Sequence, residues 1–247
     1  MTKQENIEMI VAIDQPNYIP WKGYFDLIHD VDLFIFYNDV QYTTRDWRNR
    51  NIIPTPNGMK WLSVPVGKET HRLICDVEMP DREWQRIHYE TIRFAYGKAP
   101  YFKLYRDFFE DCYLGREWKH LYKLDMYLVT EISRQFLGIT TEFADSRDYK
   151  THGAKHEKLL SLLEDVGDIS MYISGPAAKD YIVPEDYASR NIELRWKNYD
   201  GYPEYTGQPG PFNHQVSILD LLFNTGPDAP YYIWGWREGT DIPPYVK

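Results

Sequence analysis

The sequence predicts an α/β fold: a mostly parallel open sheet with a helical insertion. Three observations carry this. A strand, a loop, a helix and a second strand fit into about 30 residues near the start, the size of a right-handed β-α-β crossover. The pattern then turns helical from residue 80 to 165, and strand character returns after residue 166. Residues 1–79 and 166–247 are therefore expected to form the α/β domain, with 80–165 as the insertion.

The elements follow in order. Residues 7–13 (I-E-M-I-V-A-I) are an apolar run of strand length. Pro16 and Pro20 forbid helix and sheet just after it, which makes 14–20 a loop. Apolar residues at 21, 24, 25 and 28 mark one helix face over 21–29. Residues 31–37 (V-D-L-F-I-F-Y) are a second buried strand. Asn57-Gly58 is a two-residue turn signal between 51–53 and 59–66 and predicts a hairpin. A further short strand is expected at 75–79. Helices are expected along 84–95, 102–112 and 118–137, the last capped by Gly138. A short strand at 141–144 and a helix at 155–166 follow. Strands at 171–174 and 192–199, a turn into a short helix at 175–181, and a helix at 217–223 complete the pattern. The Pro-, Gly- and aromatic-rich tail is expected to be irregular.

Composition narrows the function classes. A chain of 247 residues with 43% hydrophobic residues can bury a core. The polar start at 1–6 is not a secretory signal, and no run nears the roughly 18 apolar residues of a membrane span. A cytoplasmic protein is expected. Cys75 and Cys112 form no C-x-x-C pair, which excludes a zinc ribbon or thioredoxin-like motif. A net charge of −9 repels a nucleic-acid polymer, yet leaves room for a small phosphorylated ligand in a local basic pocket. The 21 Tyr, 8 Trp and 11 Phe, many among polar residues, suit stacking on sugars or bases. They equally suit a Tyr-rich core or interface, and a homodimer is compatible with them. The chain has no G-x-S-x-G, no Walker loop and no G-x-G-x-x-G. His152 and His156 share a helical face but read H-G-A-K-H rather than H-E-x-x-H. No cofactor and no metal is expected.

Ligands of open α/β sheets bind outside the carboxyl ends of the strands. Two polar loops fall there: Asp14, Gln15, Asn17 and Tyr18 after the first strand, and Asp39 and Gln41 after the second. The blander reading is a pair of turns whose carboxylates satisfy backbone donors. Arg45, Arg48, Arg50 and Lys60, with Asn49, form a basic cluster suited to phosphates, or to pairing with the acidic surplus. Trp21 is a stacking candidate. His88 is the histidine best suited to act as a base, against the commoner satisfied helix-face histidine. Asp220 and Asn224, four apart, line a pocket or cap a helix end.

Five segments resemble the WbqC-like family, whose members are tied to bacterial O-antigen and other surface-polysaccharide gene clusters. They are 12–25 (A-I-D-Q-P-N-Y-I-P-W-K-G-Y-F), Asn38-Asp39-Val40-Gln41-Tyr42 with Asn49-Arg50, 61–66 (W-L-S-V-P-V), 172–181 and 217–226 (S-I-L-D-L-L-F-N-T-G). The family reads His-Gln-Pro where this chain has Asp14-Gln15-Pro16, so a carboxylate stands in the imidazole's place. The resemblance adds Lys179 and Tyr181 as binding candidates. It implies sugar-nucleotide modification by acyl or aminoacyl transfer to the amine of a nucleotide-linked amino sugar. Asp14, Asp39 and His88 would be the catalytic groups. The partners would be the sugar nucleotide and an acyl or aminoacyl donor. The alternatives are an ATP-dependent amide-forming ligase and a non-catalytic sugar-nucleotide binding or assembly protein.

Overall fold

The computed structural model describes residues 9–69 and 71–247; Ile7 and Glu8 of the first expected strand, and the polar start at 1–6, lie outside them. Strand β1 (Met9–Asp14) leads through helix α1 (Lys22–His29) to β2 (Leu33–Phe36). β1 and β2 pair in parallel, Val11 opposite Leu33 and Asp14 opposite Phe36. The expected β-α-β unit is therefore present. The hairpin follows as β3 (Arg50–Thr55) and β4 (Gly58–Ser63); it turns through Pro56 and Asn57, one residue earlier than expected, with Gly58 at φ 102° opening β4 opposite Thr55.

Helices α2 (Glu83–Tyr96), α3 (Phe102–Glu110) and α4 (Leu121–Glu131) come next. The last two run on into single π turns, Asp111–Gly115 and Ile132–Phe136. The chain then returns to the sheet with β5 (Glu142–Asp145), which pairs in parallel with β2. Helix α5 (His156–Val166) leads to β6 (Ile169–Ser174), and α6 (Pro184–Ala188) leads to β7 (Glu193–Lys197). Helix α7 (Ile218–Thr225) precedes the tail. The short strand β8 (Tyr245–Val246) closes the far edge, antiparallel to β7.

The six-stranded order is β5-β2-β1-β6-β7-β8, parallel except for β8. Alternation along the central strands explains why both faces are covered. Ala12, Phe34, Phe36 and Ile173 face a large core with α1, the hairpin, α2 to α4 and α7. Val11, Ile13, Ile35 and Tyr172 face a second core with α5 and α6. From β1 the chain moves outward one way, through α1 on the first face to β2. From β6 it moves outward the other way, through α6 on the second face to β7. The crevice between the ends of β1 and β6 is thus the topological switch point.

One expected strand is absent. Residues 75–79 hold a 3-10 turn, Ile74–Asp76, and then an extended connector that makes only an isolated bridge from Glu78 to His120. Val77 and Met79 are buried and Glu78 exposed, so the alternation that suggests a strand is real, but no neighbouring strand lies alongside to pair with it. The tail departs from the irregular expectation at β8, whose two residues are too few to register as a strand pattern.

Candidate functional site

A cleft of about 640 Å³ opens at the carboxyl ends of β1, β2 and β6. Asp14 and Gln15 contribute from the end of β1, Tyr37, Asp39 and Gln41 from beyond β2, and Tyr172 from β6. The loop before α5 and that helix's first turns form the opposite wall through Gly153, Lys155 and Lys158, and Tyr181 stands at the side. The topology that puts the first two loops on one sheet edge also brings α5 to the same edge, because α5 feeds β6.

The 14–20 loop is held from several sides. Tyr24 Oη donates to the Gln15 carbonyl at 2.9 Å, and Asn51 Nδ2 donates to the carbonyls of Tyr18 at 3.2 Å and Ile19 at 2.9 Å. The Tyr18 N–H donates to the Trp47 carbonyl at 3.0 Å. Ile19, fully buried, sits at φ 38°. A β-branched residue there carries backbone strain of the kind that clusters at ligand sites. Arg48 Nε donates to Gln15 Oε1 at 2.6 Å, and its guanidinium pairs with Asp46 at 2.8 Å.

The two carboxylates differ in environment. Burial raises the Asp14 pKa to about 6, against the pull of Arg48 and a 2.7 Å hydrogen bond from the Gln15 N–H. Burial also acts to raise Asp39, but hydrogen bonds from Lys158 Nζ at 2.6 Å and Ser146 Oγ at 2.5 Å outweigh it and hold Asp39 below its ordinary value. Asp39 is thus a fixed anion, whereas Asp14 is a carboxyl that titrates close to neutrality. The Tyr37 hydroxyl in the same wall is buried with no partner among the described residues. Helix α5 opens toward this cleft from Lys155 at φ 52° and Gly153 at φ 76°. Its first-turn N–H groups lack helical carbonyls, which favours an anion at that wall.

The remaining sequence candidates lie elsewhere. Asn17 and Trp21 line a second, smaller cavity. Tyr18 is wholly buried, with its hydroxyl 2.8 Å from His88 Nδ1 and 2.5 Å from the Tyr113 hydroxyl. His88 is 4% exposed, and burial lowers its pKa to about 4 despite its bond to the Ser63 backbone. That is a neutral ring inside a core, away from the cleft lining. Arg45 is exposed, with its carbonyl accepting from Arg50, whose guanidinium lies 4.5 Å over the Trp61 ring. Asn49 Nδ2 donates to the Val64 carbonyl at 2.8 Å. Lys60 lines a groove between the hairpin and α2. Lys179 sits 5.4 Å over Trp196. Asp220 accepts from Tyr205 Oη at 2.7 Å, and Asn224 Nδ2 donates to the Asp220 carbonyl at 2.9 Å, inside the core. Among the described residues no three His, Cys, Asp or Glu side chains gather as metal ligands.

Of the basic cluster, Arg48 is the arginine that reaches the first loop. Two groups escape the sequence reading. Lys158 holds Asp39. Asp125, in α4, is fully buried with neither carboxyl oxygen partnered among the described residues, and burial drives its pKa far up against the influence of Arg48. A signal for it existed: Asp125 occupies a core position in the Leu121, Leu124, Leu128 stripe.

The WbqC-like protein family model matches residues 15–232. The chain belongs to the WbqC-like family. It is 41% identical over 230 residues to the uncharacterized protein Rv1507c of Mycobacterium tuberculosis, covering 92% of this chain and 99% of that protein. No solved structure matches it. The matched span takes in the loop after Asp14, the Asp39 and Gln41 loop, and α5, so the cleft lies almost wholly within the family region. Among the described residues no helix is long and apolar enough to cross a membrane.

Proposed function

We propose that this WbqC-like protein acts on a nucleotide-linked amino sugar in surface-polysaccharide synthesis, transferring an acyl or aminoacyl group to the sugar's amine. The observation that carries this is Asp14, a carboxyl with pKa about 6 facing a 640 Å³ cleft at the switch point of the sheet. Amide formation at an amine needs a base that is ionised near neutrality yet retains basicity. The amine nitrogen attacks the donor's carbonyl carbon, its proton passes to the Asp14 carboxylate, and as the carbonyl re-forms the leaving group departs with the electron pair of its bond to that carbon. Asp39, fixed by Lys158 and Ser146, orients the amine. The start of α5 and Lys155 take the diphosphate charge. Both line the same cleft as the carboxylates, which supports this division of roles.

The test is incubation with a panel of nucleotide-linked amino sugars and acyl or aminoacyl donors, read by mass spectrometry and by melting temperature. The expected result is a mass shift of one acyl group that disappears in Asp14→Asn. Neither a product nor a stabilising sugar nucleotide across the panel would refute the reading. The switch-point crevice is also where open α/β sheets take nucleotides, which supports a second reading as an ATP-dependent amide-forming ligase. Pyrophosphate release dependent on ATP, magnesium and a carboxylic acid separates the two.

A further inference from the structure

A second cavity, of about 260 Å³, lies on the other side of the 14–20 loop from the main cleft. Its lining is Asn17, Pro20, Trp21, Trp47, Asn51 and Gln215. Gln15 faces the large cleft and Asn17, two residues on, faces the small one, so a single strained and multiply anchored loop divides them. The lining holds two indole rings, amides and no charged side chain.

Its groups are held without being used up. Trp21 is fixed edge-on by Tyr199 and Tyr202 at centroid distances of 5.1 and 6.1 Å. Trp47 leans on Trp61 at 5.6 Å and remains 43% exposed. Asn51 is spent on the loop, donating to two carbonyls and accepting from the Ile52 N–H at 2.8 Å. Asn17 is the exception: its Oδ1 is buried with no hydrogen-bond partner among the described residues. A buried amide oxygen left unpaired costs stability unless something else satisfies it. An orphan acceptor in a cavity walled by indoles points to a neutral ligand that carries both apolar C–H faces and hydroxyl donors.

We propose that this cavity is a saccharide subsite, taking one pyranose ring against Trp21 and Trp47, with a rotation of the Asn17 amide that brings its buried, unpaired Oδ1 to a ring hydroxyl. The absence of charged side chains in the lining leaves phosphates without a partner, whereas indole faces accept neutral and amino sugars alike. The volume lies below the ~300–1,000 Å³ of drug-sized ligand sites and suits a single ring. Amides both donate and accept, matching hydroxyls whatever their orientation. The assignment rests on the sugar-nucleotide reading for its place in the chemistry, as the pocket for a neighbouring sugar of an acceptor beside the main cleft, but not for its test.

That test uses small probes, so that it stands apart from catalysis. Saturation-transfer NMR is recorded for methyl glycosides of glucosamine, N-acetylglucosamine and galactosamine, and separately for uridine, thymidine and adenosine. Wild-type protein, Asn17→Leu, Trp47→Ala and, as a control in the main cleft, Asp14→Asn are compared, each first shown to melt cooperatively. The expected result is transfer to at least one glycoside, kept in Asp14→Asn and weakened about tenfold in both cavity variants, as for loss of one or two contacts. No transfer to any glycoside, or transfer unchanged in both cavity variants, overturns the subsite. So does transfer to nucleosides alone that the same variants abolish, which would make it a base pocket. Glycoside binding without any nucleotide-sugar turnover would leave the subsite standing and count against the proposed function alone.

Discussion

Asp14 and Asp39 end neighbouring parallel strands, yet their surroundings give them opposite behaviour. For Asp14, whose pKa is raised from 3.8 to about 6, the folded state binds the proton more tightly. Its contribution to stability is fully present below pH 4 and is lost as pH rises through 6. Asp14→Asn removes that penalty. It is expected to raise stability at pH 7 by on the order of 1–2 kcal/mol, since partial exposure discounts the full shift, and to give no gain at pH 4. Melting curves of both proteins at the two pH values check it; a variant less stable at pH 7 would mark Asp14 as a structural turn residue. His88 runs the other way. Its pKa is depressed from 6.5 to about 4, so its stability is present above pH 6.5 and is lost as pH falls toward 4. His88→Phe removes one of the two partners of the Tyr18 hydroxyl and is expected to cost about 1–3 kcal/mol at pH 7, with a smaller difference at pH 4.5, by urea denaturation. At this scale the sequence displays the loop carboxylates, because each follows an apolar strand. It does not distinguish Arg48 from Arg45 and Arg50. The turn that sends Arg48 toward Gln15 depends on Arg45 at φ 60° and on the Asp46 pairing, neither of which spacing encodes. Lys158 is legible only as one more lysine on a helix.

At the scale of elements, α5 is the piece that completes the cleft. Gly153 at φ 76° and Lys155 at φ 52° turn the chain into it. A Cβ at Gly153 would meet the Glu157 side chain at 2.5 Å. That side chain can swing away, so the lasting cost of Gly153→Ala is the left-handed backbone, about 1–2 kcal/mol. The expected outcome is that loss in chemical denaturation together with weaker ligand binding, because the helix start shifts; a loss of stability with binding intact would detach α5 from the site. The β-α-β unit, the Asn57-Gly58 hairpin and the principal helices were legible because each has a period and a punctuation signal. The 75–79 segment misled because period two reports alternating burial, and pairing requires a neighbour that sequence does not display. β8 was hidden by its length.

For the whole molecule, the tail is tied back to the first helix by buried charge. Arg237 donates to both Asp26 oxygens, at 2.8 and 2.6 Å, and Lys197, fully buried, stands 2.9 Å from Asp26 and also pairs with Asp30. Tyr202 completes the set through a hydrogen bond to Asp26. Removing one partner of such a network leaves charge uncompensated. Arg237→Met is expected to cost about 3–5 kcal/mol, read as a fall in the urea midpoint with an unchanged m-value. The network joins three stretches far apart in sequence, 26–30, 197–202 and 237, so its cross-links were invisible before folding, whereas the fold class that assembles them was not.

On the proposed function, the switch-point cleft binds a phosphorylated sugar between α5 and the Asp14 and Asp39 carboxylates. The direct measurement is calorimetric titration of nucleotide-linked amino sugars into wild-type protein and into Lys155→Gln, a substitution that removes the charge and keeps a long unbranched side chain on the same backbone. Binding by the wild type that weakens about tenfold in the variant, with melting temperature unchanged, is the predicted result. Binding of equal strength in both proteins, or none in the wild type across the panel, would contradict it.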